Sequence, residues 1–115
     1  MERILIGQIS CRRVPESRAL RKHVERRVAE WLDQRYPTGA PRQSEYRVVF
    51  ERIGVGHDIS CETELTIGMS IWRGSDIGPT PEAALARAML RLRCVGGGRP
   101  RETSFEGGLQ PALAV

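Results

Sequence analysis

The sequence predicts an α+β domain in the order β-α-β-β-β-α: a four-stranded sheet with two helices packed on one face. Three observations lead there. Apolar residues recur at helical spacing over 17–36 and again over 80–95. They alternate strictly with polar residues over 59–67, and clusters rich in Gly, Pro and Ser separate these stretches. A chain of 115 residues supports one domain, enough for one sheet and one layer of helices. We place that domain at 1–95 and expect 96–115, which has no period, to trail as a flexible tail.

Each element follows in order. Ile4, Leu5, Ile6 and Ile9 open the chain as a strand ending near Ser10. "VPES" (14–17) then starts a helix, with Glu16 or Ser17 able to cap it. Leu20, Val24, Val28 and Trp31, with Leu32 beside them, cover about a third of the helical wheel and form a core-facing stripe. The helix ends near Tyr36, because Pro37 disfavours helical geometry in the residue before it. "PTGAPRQS" (37–44) is a loop by composition, and "EYRVVFERI" (45–53) alternates as a second strand. After "GVGHD", the third strand puts Ile59, Cys61, Thr63, Leu65 and Ile67 on one face and Ser60, Glu62, Glu64 and Thr66 on the other. One face is therefore packed and the other wet. Gly68 turns the chain into a short fourth strand, "MSIWR" (69–73). Thr80 caps the second helix, with Pro81 at its first position and Glu82 at the positive end of its dipole. Leu85, Ala88, Met89 and Leu92 form its stripe, and "GGG" (96–98) ends it.

Composition narrows the function. Apolar content of 40% and charged content of 28% fit a soluble globular chain, and no apolar run approaches the length of a membrane span. "MERILIGQIS" lacks the long apolar segment of a secretory signal, so a cytoplasmic location is expected, with no membrane partner. Three widely spaced cysteines, Cys11, Cys61 and Cys94, are no disulfide framework. No HExxH, CxxC pair or P-loop occurs, and "GVG" (54–56) precedes a strand instead of a helix. Cys61 and His57 are a conceivable nucleophile pair, but Cys61 alternates in phase with Ile59 and Leu65 as a buried structural thiol would. Glu62 and Glu64 read as paired surface carboxylates. We therefore expect no enzyme, no metal, no cofactor and no small-molecule substrate, and a monomer or weak dimer.

The bases remain. The net charge of +4 permits an anionic partner without requiring one; 17 of the 18 bases are Arg. Arg18, Lys22 and Arg26 form an i, i+4, i+8 ladder on the first helix away from its stripe, Arg87 and Arg91 a shorter pair on the second, and Arg12 and Arg13 precede the first. Two readings stand side by side: a ridge that engages phosphates, or a solvated face in which Glu25, Glu30 and Asp33 balance the bases. Trp72 reads either as an exposed stacking platform or as sheet-edge packing.

"ISCRRVPESRALRKHVERRVAEWLDQRY" resembles the N-terminal strand and helix of the ribosome hibernation-promoting factor and ribosome-associated inhibitor family, through Ala19, Leu20, Arg21, His23, Val24, Glu25, Val28, Leu32 and Tyr36. "RVVFERIG" with "HDISCETELTI" is similar to the family's second and third strands, and "TPEAALARAMLRLR" occupies the place of its second helix. The resemblance spans about residues 4 to 93. It implies a short-form factor that docks on the small ribosomal subunit, contacts rRNA phosphates through bases on its two helices and silences idle ribosomes under stress. By position, those bases are Arg18, Lys22, Arg26, Arg87, Arg91 and Arg93. Two departures are visible: the family's second helix usually continues through a Lys-rich end where "CVGGG" stands here, and the loop at 37–44 is longer than usual. The alternative is a small α+β protein of phage or mobile-element type that binds a protein partner through the wet sheet face, with Glu62, Glu64 and Trp72.

Overall fold

The computed structural model describes residues 4–39 and 43–97. The chain runs β1 (Ile4–Arg12), α1 (Arg18–Arg35), β2 (Gln43–Arg52), β3 (Ile59–Ile67), β4 (Ser70–Gly78), α2 (Pro81–Leu90) and β5 (Arg93–Gly97). The strands lie in one open sheet in sequence order, β1-β2-β3-β4-β5. β1 and β2 pair in parallel across the α1 crossover; every other neighbouring pair is antiparallel. The sheet is thus mixed and five-stranded, where four strands were expected.

Alternation drives the core. Tyr46, Val48 and Phe50 of β2 and Ile59, Cys61, Leu65 and Ile67 of β3 turn inward together. They meet Leu20, Val24, Val28 and Leu32 of α1 and Ala84, Leu85, Ala88 and Met89 of α2 in a single cluster. Both predicted stripes are confirmed, except that Trp31 and Leu92 are only partly buried. The caps match too. The Ser17 hydroxyl accepts from Leu20 N at 3.1 Å and the Thr80 hydroxyl from Ala83 N at 3.1 Å, each satisfying an amide that the helix cannot.

β4 and α2 depart from the expectation. β4 extends to Gly78 because α2 lies directly on it. A Cβ on Gly74 would collide with the Ala88 carbonyl oxygen and lie 2.9 Å from Leu92 N; one on Gly78 would lie 2.6 Å from Ala84 N. The two glycines give up strand propensity so that helix and strand backbones can approach. The helix then stops at Leu90, not beyond Arg93, and residues 93–97 pair with Ser70–Arg73 as β5. Gly96 and Gly97 are therefore strand residues; the remainder of the expected tail, from 98, lies outside the described residues.

A local lock fixes the β1–α1 link. Arg13 adopts a left-handed φ of 59°, uncommon for a side-chain-bearing residue. Its Nη2 donates to the Gly54 carbonyl at 2.9 Å, while its own carbonyl accepts from Arg52 Nε at 3.1 Å. The link is thereby tied to the β2–β3 loop, and Arg13 serves the fold.

Candidate nucleic-acid interface

α1 carries six bases, which separate by what they touch. Arg21 pairs with Glu16 at 2.7 Å and Arg27 approaches Glu30 at 4.0 Å. Arg35 lies over the Trp72 ring, 4.5 Å from its centroid. The predicted ladder is different. Arg18, Lys22 and Arg26 are exposed on the side of α1 away from Leu20, Val24, Val28 and Leu32. Among the described residues, neither Arg18 nor Lys22 makes an ion pair or a side-chain hydrogen bond. Arg26 Nη2 reaches His23 Nδ1 at 3.0 Å, a contact to a ring nitrogen and not to an acid. Three cations thus line one exposed helix edge without a carboxylate neutralising them.

The α2 bases behave otherwise. Arg87 Nη1 donates to the Ile77 carbonyl at 2.8 Å, on the part of β4 that β5 leaves uncovered. Arg91, the C-cap residue, donates through Nε to Asp76 Oδ2 at 2.8 Å, and Asp76 Oδ1 accepts from Ile77 N at 2.7 Å. The Arg91 bond, followed by the backbone bond, holds the Asp76 carboxyl below the usual aspartate range. Both bases clasp α2 to β4. Arg93, expected on the second helix, is in β5 opposite Arg73, on the sheet face away from the helices. The six predicted residues therefore occupy three places: the α1 ladder, the α2–β4 clasp and the open sheet face.

The open face has a different character. In cross-strand register it carries Arg12, Arg47, Arg73 and Arg93 against Glu45, Glu51, Glu62 and Glu64. Arg73 Nε bonds Glu64 Oε2 at 2.7 Å and Arg12 lies 3.9 Å from Glu51. Trp72 does not belong to this face. It points to the helix side, edge-on to Trp31 at 5.2 Å between centroids, with a buried indole N–H that has no hydrogen-bond partner among the described residues. The stacking-platform reading is overturned, and Trp72 drops out of the wet-face set, which keeps Glu62 and Glu64. Strand phase misled because Met69 occupies the turn and Ile71 the open side.

Cys61 and His57 do not form a pair. Cys61 is fully buried against Thr63, with Sγ to Oγ1 at 3.4 Å, and burial pushes its thiol up to about 11; His57 is exposed in the β2–β3 loop. Among the described residues, no cluster of His, Cys, Asp and Glu has the makeup of a metal site, and no helix is long and apolar enough to cross a membrane. Sequence reasoning missed Arg47 and Arg73 on the open face, and Arg35 on Trp72. The strict alternation of β2 would have located Arg47.

No model of a known protein family matches the chain, and no curated protein matches its sequence. Solved structures do share its fold, an open α+β sheet layered by two helices. The N-terminal domain of Thermus thermophilus Protein Y superposes with a TM-score of 0.58 at 24% identity, covering 77% of this chain and 88% of that one. A ribosomal subunit interface protein from Coxiella burnetii superposes at 0.57 with 14% identity, covering 73% and 85%. At these identities the likeness is one of fold.

Proposed function

We propose that the protein is a ribosome-associated factor of the hibernation type, working in the cytoplasm and engaging small-subunit rRNA through the exposed edge of α1. The observation that carries this reading is the uncompensated ladder Arg18, Lys22 and Arg26 on a fold shared with Protein Y and a ribosomal subunit interface protein. An i, i+4 ladder repeats about every 6 Å along a helix, a spacing that lets successive guanidinium and ammonium groups meet successive phosphates. Such contacts are independent of sequence, and their affinity falls as salt rises. Arg87 and Arg91 are tied to β4 by their clasp and lie apart from the ladder. Arg93 lies on the other side of the sheet and is not part of it. The role is binding; translation is blocked by occupancy, without chemistry.

The test is co-sedimentation of the folded protein with purified small ribosomal subunits across a salt series. The expected result is association at low salt that weakens steadily as salt rises. No association at low salt, with the protein folded, defeats the reading. A single salt-insensitive protein partner would favour the phage-type alternative.

A further inference from the structure

We propose that the open sheet face carries an oxyanion site at its β4–β5 edge, built by Arg73, Arg91 and Arg93, for a carboxylate or phosphate group of a ligand. The site is separate from the α1 ladder and does not depend on ribosome binding.

The sheet register builds it. Arg47 of β2, Glu64 of β3, Arg73 of β4 and Arg93 of β5 are successive cross-strand partners in one row, neighbours being about 4.8 Å apart. Like charges directly opposite one another repel, and Arg73 faces Arg93. Glu64 offsets only Arg73, and only through Nε. Among the described residues, Arg93 makes no ion pair. These side chains, together with Arg91 and Ser75, line an open cavity of about 530 Å³.

Two of the three guanidinium groups are already held. Arg73 is fixed by Glu64 at 2.7 Å and Arg91 by Asp76 at 2.8 Å, both through Nε. Side-chain entropy that an anion would otherwise have to remove is thereby lost on folding, and the η nitrogens stay available as donors. The planar fork of Arg suits a carboxylate or phosphate oxygen pair. Glu62 and Glu64 in the same cavity set the limit: they repel a second anionic group, so the site takes one oxyanion and not a polyanion.

The experiment titrates the isotope-labelled full chain with inorganic phosphate and, separately, with acetate, following the Arg Nε–H signals by NMR. Saturable shifts centred on Arg73, Arg91 and Arg93 are expected, weakened about tenfold by Arg93→Gln and untouched by Lys22→Glu. Response to phosphate alone assigns a phosphate-bearing ligand, response to acetate alone a carboxylate-bearing one, and response to both an oxyanion site without preference. Arg73→Gln, on a strand held from both sides, gives the same test should Arg93→Gln release β5. Shifts that never saturate, that spread equally to Arg18 and Arg26, or that survive both substitutions overturn the proposal.

Discussion

α1 and α2 cover the same face of the same sheet by opposite means. α1 is 18 residues long and rests on the sheet through Leu20, Val24, Val28 and Leu32, so its backbone stands off by the depth of those side chains. α2 has 10 residues and meets β4 backbone to backbone at Gly74 and Gly78, with Ala84 and Ala88 toward the sheet. The polar consequences follow. α2 brings Arg87 and Arg91 close enough to bond β4 groups, whereas the outer edge of α1 is too far from any strand for its ladder to be used that way. One helix is fastened and the other leaves its cations exposed. Similar amphipathic patterns thus give one helix whose bases are tied to the sheet and one whose bases stay exposed, and what separates them is the size of the residues beneath.

The contrast is broken most severely at Gly74. Gly74→Ala should lift α2 from β4, because the new methyl meets helix backbone that cannot step aside; a loss of about 2–3 kcal/mol is expected in denaturant unfolding. Lys22→Glu combined with Arg26→Glu should do the reverse, lowering small-subunit association at least about tenfold at low salt while leaving thermal unfolding unchanged. Removing either cap, by Thr80→Ala or Ser17→Ala, should cost about 1 kcal/mol. The smallest effect is at Asp76. Its carboxyl titrates below the usual range, so the Arg91 clasp contributes stability above the ordinary aspartate pKa of about 3.9 and loses it as pH falls through the lowered value. The melting temperatures of wild type and Asp76→Asn should therefore converge in acid; a constant gap would remove the clasp from α2's attachment.

Much of this was legible in the chain. α1, β2 and β3 follow from period and caps, since each buries a face that its own residues define, and β1 follows from its apolar run. The inward phase of Cys61 was legible for the same reason, and burial of that thiol predicts that it reacts with a thiol reagent only on unfolding, well after the exposed Cys94. The end of α2 was not legible. Leu92 continues the helical stripe and the glycines of "CVGGG" argue against a strand, yet β5 forms because β4 offers an unpaired edge. Likewise "GSDIG" reads as a loop until a helix needs its glycines. Non-local pairing decided both, and it moved Arg93 from the predicted helix to the far side of the sheet. The α1 ladder was placed correctly because it depends only on helical spacing.

Trp31 and Trp72 are the two indoles of the chain, set edge-on at 5.2 Å where the end of α1 meets β4, with Arg35 above one ring. Rings so close and so oriented share their excited states, and the nearby guanidinium tunes the emission of Trp72. The indole part of the protein's near-ultraviolet signal therefore arises at one joint, the seat of the helix that carries the ladder. A ligand that shifts α1 on the sheet announces itself optically, whereas one that only screens its cations leaves the spectrum still.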